Sequence, residues 1–252
     1  MDTQKLMDEA CPMIAEYGWS YYFEPTTIAR GEKLGLDPFT FYFLGRGGVL
    51  GDVEAPVVQS AFGYFNPAVL AAMWDGGRAK VAPSVAGREY FEAAHDFARA
   101  RLSGLGELDG FVEAATTVVT AALRDVAGLT QFTAAAGAPV PSDAPAAALH
   151  QVAVLREFRG SAHLVAVVAS GLSTRTAHFI RRPEMFATFG WPEDDRPTVT
   201  DADTAALAAA EAMTDKLVAP AYGALDDDGA SALLAGLRAM GPLLKSEPVP
   251  SV

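Results

Sequence analysis

The stretch from Leu155 to Arg182, LREFRGSAHLVAVVASGLSTRTAHFIRR, constrains the fold of this chain more strongly than any other. Apolar residues recur in it at helical spacing as far as Ala169, and Gly171 follows. Glycine takes a positive φ at no steric cost and often ends a helix, and Ser173 is of a type that caps the next one. The sequence therefore predicts two helices joined by a tight turn, a helix-turn-helix.

A second segment carries the same pattern 136 residues earlier. A short helical pattern ends at Gly35, and Asp37 followed by Pro38 is typical of the start of the next helix. Aligned at this offset, Gly35, Thr40, Phe43 and Arg46 fall on Gly171, Thr176, Phe179 and Arg182. The repeat predicts that the chain contains the same structural unit twice.

The segment from Ala134 to Pro145 lies between the two copies and is typical of a linker. Its sequence, AAAGAPVPSDAP, consists of small residues and three prolines, which do not sustain a helix. We therefore predict two halves, residues 1–138 and residues 139–252. The first helix of the second half is predicted to be capped by Ser142 or Asp143, and the last helix to extend to Lys245.

The composition limits the class of protein and its partners. Among 252 residues, 31 are acidic and 19 basic, and the net charge of −12 repels nucleic acid and anionic membranes. Half of the residues are hydrophobic, which is enough to bury a sizeable core. The chain has no signal-peptide pattern and no run of the ~20 apolar residues that a membrane span needs, so we expect a soluble, cytoplasmic protein without membrane partners.

Few residues of this chain are of the types that hold metals. Cys11 is the single cysteine, which excludes an intramolecular disulfide, and we expect a free thiol in the core. The histidines at His95, His150, His163 and His178 are scattered, and no zinc-binding pattern surrounds them. The glycine-rich run GRGGVLG lacks the spacing of a dinucleotide-binding loop. We therefore expect no metal and no cofactor.

The first helix of the featured stretch carries a polar face. Arg156, Arg159 and His163 are spaced i, i+3 and i+7, so they lie on one side of a helix that is otherwise apolar. Such a set could hold a carboxylate or a phosphate. The alternative is structural: the arginines pair with Glu157 and other acidic groups, and the histidine is a hydrogen-bonded core residue.

Aromatic residues and two polar side chains of the first half complete a predicted ligand pocket. Tyr42, Phe43, Tyr64 and Phe65 offer aromatic surface, and Arg46 and Asn66 offer directional donors. The alternative for the aromatic residues is simple packing. The predicted ligand-binding set is Tyr42, Phe43, Arg46, Tyr64, Phe65, Asn66, Arg156, Arg159 and His163.

A β-wing is predicted after the second copy. Pro183 ends the second helix, and residues Phe186 to Thr200 carry few helix signals and finish in a Thr-Val-Thr triplet of β character. We predict a short hairpin with an acidic tip. The tip residues are Glu193, Asp194 and Asp195.

The second half thereby resembles the winged-helix regulators of the MarR type. The resemblance rests on the helix-turn-helix from Val165 to Arg182, the acidic wing tip with Arg196, and the T-x-T-D-A-D exit at Thr198 to Asp203. The motifs LREFRGSAH from Leu155 and FNP from Phe65 also resemble a group of actinobacterial helix-turn-helix-like proteins.

This resemblance implies a mainly α fold of two fused winged-helix units with short β-wings, arranged like a MarR dimer within one chain. It also implies a cleft between the halves in which such proteins bind small effectors. The protein would then be a monomeric pseudo-dimer or a homodimer.

The helix that would contact DNA differs between the two copies. The second copy has Arg175, Arg181 and Arg182, whereas the first has aromatic residues and only Arg46. Operator binding by such dimers needs two equivalent recognition helices. The leading hypothesis is therefore a repurposed winged-helix scaffold that binds a small, partly aromatic, anionic molecule between its halves. A MarR-like DNA-binding transcriptional regulator is the alternative.

A cofactor-independent enzyme of specialised metabolism is a variant of the leading hypothesis. General acid–base catalysis needs one positioned group with a suitable pKa. Arg159 on the same helical face disfavours the charged form of His163, so a neutral His163 is the candidate catalytic base.

Overall fold

The structure is a computed structural model that describes residues 1–106 and 108–244, and its regular elements in these ranges are all helical. The α-helices are α1 (Thr3–Tyr17), α2 (Pro25–Lys33), α3 (Pro38–Gly47), α4 (Ala55–Phe62), α5 (Pro67–Arg78), α6 (Pro83–Leu102), α7 (Leu108–Ala122), α8 (Thr130–Ala136), α9 (Ala144–Ala169), α10 (Thr174–Arg181), α11 (Asp201–Tyr222) and α12 (Asp227–Met240). Short 3-10 turns occupy Gly48–Leu50, Pro183–Met185 and Glu193–Asp195. The predicted mainly α fold class is confirmed.

Helix α9 is the centre of the fold. Its N-cap is Asp143, whose side chain accepts a hydrogen bond from the backbone N–H of Ala146 at 3.2 Å, and Pro145 lies in its first turn. Buried side chains cover most of its circumference, because α1, α6, α7, α8 and α11 all pack against it. A helix that is apolar on nearly all sides can be stable only in such an interior position.

One hydrophobic core joins residues from both predicted halves, from Leu6 in α1 to Leu244 after α12. Residues 137–143, which contain the proposed boundary at 138, form a non-helical connection between α8 and α9. The division into halves stays a prediction. The last helix was predicted to reach Lys245; α12 ends at Met240, and Lys245 lies outside the described residues.

The two helix–turn–helix segments have the same turn geometry. Gly35 and Gly171 have φ values of 75° and 72°. The backbone N–H of Leu36 donates to the carbonyl of Gly31 at 3.0 Å, and at the same offset Leu172 donates to Val167 at 3.3 Å. This bond, which crosses the end of the helix, satisfies a carbonyl that the helix leaves free.

The N-caps that follow these turns also match. The side chain of Asp37 accepts from the backbone N–H of Thr40 at 3.0 Å, and that of Ser173 accepts from Thr176 at 3.0 Å. The repeat at an offset of 136 residues thus extends from sequence to the backbone of both turns.

The predicted β-wing is wrong. Residues Phe186 to Thr200 contain no strand, and Glu193–Asp195 forms a 3-10 turn. Aromatic side chains hold this segment against the rest of the fold: Phe186 is buried, and the indole N–H of Trp191 donates to the backbone carbonyl of Tyr64, between α4 and α5, at 2.9 Å. The prolines at 192 and 197 also lack the N–H groups that a strand ladder requires.

Every helix within residues 1–106 and 108–244 is too short or too polar to span a lipid bilayer.

Candidate ligand-binding cavity

A cavity of about 400 Å³ lies where α1, α3, α4, α9 and α10 converge. The segment after α10 closes one side of it through Glu184, Met185, Thr188 and Phe189. The aromatic residues in its wall are Trp19, Tyr22, Phe23, Phe39, Tyr42, Phe62, Tyr64, Phe65, Phe189 and Tyr222. The charged residues in its wall are Arg46, Arg156, Arg159, Arg181, Arg182, Glu157 and Glu184.

The structure brings seven of the nine predicted ligand-binding residues into this wall: Tyr42, Arg46, Tyr64, Phe65, Arg156, Arg159 and His163. The other two, Phe43 and Asn66, are not part of it. Phe43 is a core residue whose ring lies 4.7 Å from that of Phe65. Asn66 caps α5, because its side-chain oxygen accepts from the backbone N–H of Ala68 at 2.9 Å.

Arg46 of α3 is bound tightly to α9. Its Nε and Nη2 donate to the two carboxylate oxygens of Glu157 at 2.8 and 2.7 Å, and its guanidinium stacks on Phe62 with the central carbon 4.1 Å from the ring centroid. A buried, bidentate pair of this kind fixes the relative position of two elements. Arg46 therefore fastens α3 to the central helix and has little freedom to bind a ligand.

Arg156 shares the same carboxylate. Its Nη1 donates to Glu157 at 3.3 Å and to the hydroxyl of Tyr22 at 3.0 Å. Burial opposes ionisation of Glu157, but the charges of Arg46 and Arg156 outweigh it and keep the pKa of Glu157 below its usual value. Burial raises the pKa of Tyr22 to about 12, so this phenol stays protonated at neutral pH. Within the described residues, Nη1 is the Arg156 nitrogen that makes these hydrogen bonds, so the guanidinium keeps other N–H groups for a ligand.

Arg159 and Arg181 are paired with α11. Arg159 Nη2 lies 3.2 Å from Glu211 and 3.1 Å from Asp215, and Arg181 Nη1 lies 2.7 Å from the other oxygen of Glu211. For Arg159, this pairing is what the structural alternative predicted.

His163 is held between a hydroxyl and a guanidinium. Thr214 donates its single hydroxyl proton to the carbonyl of Ala210 at 2.7 Å, so toward His163 Nδ1, 3.0 Å away, it acts as acceptor. The proton of the neutral ring is then on Nδ1, and Nε2 accepts from Arg181 at 3.3 Å. Burial lowers the pKa of His163 to about 4, and the charges of Arg181 and Arg159 act in the same direction. This lowered pKa favours the neutral ring, but both of its nitrogens are already engaged.

His178 differs from His163 in having a free nitrogen. It is 6% exposed and lines the cavity, and its Nε2 has no hydrogen-bond partner among the described residues. The hydrogen bond between its ring and the backbone of Met185 therefore involves Nδ1. Burial lowers the pKa of His178 to about 4, so the neutral ring presents Nε2 as an acceptor.

Arg182, next to the end of α10, is the cavity arginine without a salt bridge within the described part of the chain. Partial burial and the like charges of Arg181 and Arg156 lower its pKa. With five arginines against two glutamates, the wall is positively charged, although the chain as a whole has a net charge of −12.

His178 and Arg182 were absent from the predicted binding set. A signal for both was present, because at the repeat offset of 136 they are the counterparts of Tyr42 and Arg46, which were predicted. The predicted set also lacked Trp19, Tyr22 and Phe23, which follow α1 and line the cavity. They are separated from α3 and α9 in sequence and come close to them through tertiary packing.

Within residues 1–106 and 108–244, no group of three or more His, Cys, Asp or Glu side chains is placed to hold a metal ion. Cys11 is a free, buried thiol in the cavity wall, and burial raises its pKa. The thiol is therefore protonated at neutral pH and is a poor nucleophile.

Comparison with known proteins gives one match. The model of a helix-turn-helix family matches residues 9–247, nearly the whole chain. No curated protein and no solved structure matches.

Proposed function

The chain belongs to the helix-turn-helix family, and we propose that it uses this scaffold to bind a small, partly aromatic, anionic molecule in the cavity around α9. The observation that carries this proposal is the cavity wall itself: an aromatic surface joined to an excess of arginines, inside a strongly acidic chain.

The size of the cavity supports a small-molecule ligand. Ligand-binding pockets commonly have volumes of roughly 300–1,000 Å³ and apolar walls with a few placed polar groups. The cavity, at about 400 Å³, is at the lower end of this range. Tyr42, Phe65 and Phe189 all line it, and the rings of Phe65 and Phe189 stack on each other at 4.1 Å, so a flat aromatic molecule would meet an aromatic wall.

The charge of the wall supports an anion. Arg46 and Arg159 are neutralised by carboxylates, whereas Arg182 has no salt bridge in the part of the chain that the structure describes, and Arg156 shares Glu157 with Arg46. A carboxylate or phosphate between these last two arginines would relieve their mutual repulsion and form charge-assisted hydrogen bonds.

Native mass spectrometry of the purified protein, compared with a variant whose cavity is filled, tests this proposal. Gly160 of α9 belongs to the cavity wall, and a Cβ there would have nothing within 4 Å, so Gly160→Leu adds a bulky apolar side chain at this wall without a steric clash. Gly76 of α5 is equally open but lies outside the cavity, so Gly76→Leu is the matched control.

We expect a bound small molecule, or thermal stabilisation by aromatic carboxylates, in the wild type and in Gly76→Leu but not in Gly160→Leu. If no small molecule co-purifies and no aromatic acid shifts the melting temperature of the wild type, the proposal is wrong. Equal binding by all three proteins would place the ligand elsewhere.

An enzymatic role for His163 has less support than binding. A general base needs a free lone pair, and Nε2 of His163 already accepts a hydrogen bond from Arg181. Arg181, in turn, is held by Glu211. Catalysis by His163 would require this pair to move aside when substrate binds.

DNA binding is the second candidate, favoured by the family to which the chain belongs. Against it, α3 is almost entirely buried and so cannot enter a groove, Arg181 is paired with Glu211, and Arg175 stacks on Trp191 at 5.4 Å. Mobility-shift assays at low salt separate the two functions. Tight, sequence-specific binding of duplex DNA would favour the regulator, whereas weak binding that salt abolishes would not.

A further inference from the structure

Resting on the proposed function, we infer that Tyr22, Tyr42 and Arg156 form the anion-binding part of the cavity wall and that the ligand is an aromatic monocarboxylate. The two phenol hydroxyls and the guanidinium donate hydrogen bonds to the carboxylate oxygens. The single charge of the carboxylate matches the one positive charge in excess at this position, so a monocarboxylate is favoured over a phosphate.

The hydroxyls of Tyr22 and Tyr42 each accept a hydrogen bond from an arginine. Arg156 Nη1 donates to Tyr22 at 3.0 Å, and Arg46 Nη1 donates to Tyr42 at 3.3 Å. Within the described residues, neither phenol has an acceptor for its own proton. Because a phenol can donate its proton while its oxygen accepts, both hydroxyls remain available as donors. The bond from the arginine also polarises the O–H group and strengthens it as a donor.

The two phenols lie side by side in the cavity wall. Their ring centroids are 5.3 Å apart, and Tyr22 and Tyr42 are only 6% and 8% exposed. Burial raises the pKa of Tyr22 to about 12, so this phenol keeps its proton at neutral pH. A buried donor without an acceptor costs free energy, and a ligand oxygen would supply the acceptor.

Arg156 has donors of its own for the same ligand group. Its Nη1 is held by Tyr22 and Glu157, but its side chain is 28% exposed, and Nε and Nη2 make no hydrogen bond within the described residues. Arg46, in contrast, uses Nε and Nη2 for Glu157 and Nη1 for Tyr42. Arg156 is therefore the member of this arginine pair that can bind a carboxylate directly.

The charges near Arg156 favour a single negative charge on the ligand. Within the described residues, Arg46 and Arg156 share the one carboxylate of Glu157, which leaves one positive charge in excess. Elsewhere in the wall, Arg159 and Arg181 are paired with two carboxylates of α11. A monoanion would neutralise the remaining charge. A dianion would bring an extra negative charge into a wall made mostly of aromatic side chains, which costs free energy.

Arg182 adds attraction at longer range. It is exposed and has no salt bridge within the described residues, but the charges of Arg156 and Glu184 both reach it. Water screens an exposed charge, and Glu184 offsets part of it. The direct contacts to the carboxylate are therefore assigned to Arg156 and the two phenols.

The probes for this inference are benzoate and the two naphthoates. Each is compared with its carboxamide, which has a similar shape but no charge, and with the corresponding aryl phosphate, whose charge at neutral pH is about −1.5 to −2. We expect at least one carboxylate to bind the wild type about 10-fold or more tightly than both counterparts in titration calorimetry.

Four variants assign this preference. Tyr22→Phe and Tyr42→Phe keep the rings but each remove one donor, so each should weaken carboxylate binding by about 10-fold and carboxamide binding by less, because a charged acceptor makes the stronger bond. Arg156→Gln should abolish the preference for the carboxylate. Tyr90→Phe is the matched control, because Tyr90 is buried with its ring 5.7 Å from that of Tyr22 but does not line the cavity.

Carbon NMR of wild-type protein labelled at the tyrosine ζ carbon gives a readout that needs no mutation. Two tyrosine signals should shift when the carboxylate binds, and their absence from Tyr22→Phe and Tyr42→Phe assigns them. Equal binding of the carboxylate by Tyr22→Phe, Tyr42→Phe and Tyr90→Phe, or tighter binding of the phosphates, would overturn this inference and leave the proposed function intact. Failure of every carboxylate and phosphate to bind below ~1 mM would overturn both.

Discussion

Helices α3 and α10 begin after turns of the same geometry, but one is buried and the other is half exposed. Seven of the ten residues of α3 are buried, whereas in α10 only Ala177 and His178 are. Equivalent positions nevertheless face the same cavity, since Tyr42 and His178, and likewise Arg46 and Arg182, line it.

The difference lies in what surrounds each helix. Helix α3 packs against α5 and α6, and Arg46 at its end is neutralised by Glu157. Helix α10 packs against α9, α11 and the 3-10 turn at Pro183–Met185 and has ring contacts with the segment that follows it, and Arg182 has no salt bridge in the described residues. The copy at α3 is thus buried and held by an ion pair, whereas the copy at α10 is more exposed and ends in an arginine without a salt bridge in the described residues.

The largest difference between the copies should appear in the stability of two equivalent arginine variants. Arg46→Leu leaves Glu157 buried with only Arg156 as partner, so we expect the free energy of unfolding to fall by about 3 kcal/mol. Arg182→Leu removes a guanidinium that is largely open to solvent and has no salt bridge among the described residues, and it should change the free energy of unfolding by less than about 0.5 kcal/mol. Urea denaturation of both variants measures the two values.

A double variant checks the cause of this loss. Arg46→Met combined with Glu157→Leu removes both charges and should recover part of the stability, because no buried carboxylate is left without its main partner, although Arg156 then keeps only the hydroxyl of Tyr22. Similar losses of stability for Arg46→Leu and Arg182→Leu would contradict the difference between the two copies, because both arginines would then stabilise the fold equally.

The second difference concerns pH, since α10 has a buried histidine where α3 has Tyr42. His178 has a pKa of about 4 in the folded chain, below the usual ~6.5 of the unfolded chain. The free energy of unfolding therefore has its full value, as far as His178 is concerned, above pH 6.5. It decreases as pH falls toward about 4, because the unfolded chain takes up the proton first. Allowing for partial solvent screening, we expect His178 to lower the free energy of unfolding by about 2 kcal/mol over this pH range.

Urea titrations of the wild type and His178→Phe between pH 7 and pH 4 measure the sign and the size of this change in unfolding free energy. The variant should lose less stability over this interval than the wild type. Parallel curves of unfolding free energy against pH for the two proteins would mean that the pKa of His178 is not lowered by burial.

Local features of the fold could be predicted because neighbouring residues determine them. Gly35 and Gly171 adopt a positive φ, and Asp37 and Ser173 cap the following helices, so the residues of each turn determine its geometry. Arg156, Arg159 and His163 share a face for the same reason: helical spacing alone places them there.

The partners of those residues could not be predicted, because they come from distant segments. Glu211 and Asp215, which neutralise Arg159, lie 52 and 56 residues further along the chain. The β-wing prediction was wrong for a similar reason, since Phe186 is buried and Trp191 donates to the backbone of Tyr64, contacts with distant residues that a local pattern does not reveal.

The smallest expected effect tests the feature that the two copies share. Alanine at Gly35 or Gly171 must adopt a positive φ, which costs roughly 1–2 kcal/mol and is partly offset by the lower entropy of the unfolded chain. No atom lies within 4 Å of a Cβ at either position, so the cost is purely conformational, and we expect both variants to lose about 1 kcal/mol.

Gly160→Ala is the internal control, because Gly160 lies within α9 and is equally open. There the sign should reverse, with a gain of about 0.5–1 kcal/mol, since alanine is the better helix former. Equal losses at Gly35 and Gly171 beside unequal losses at Arg46 and Arg182 would place the difference between the copies in their side chains. Unequal losses at the two glycines would instead mean that the turns themselves have diverged.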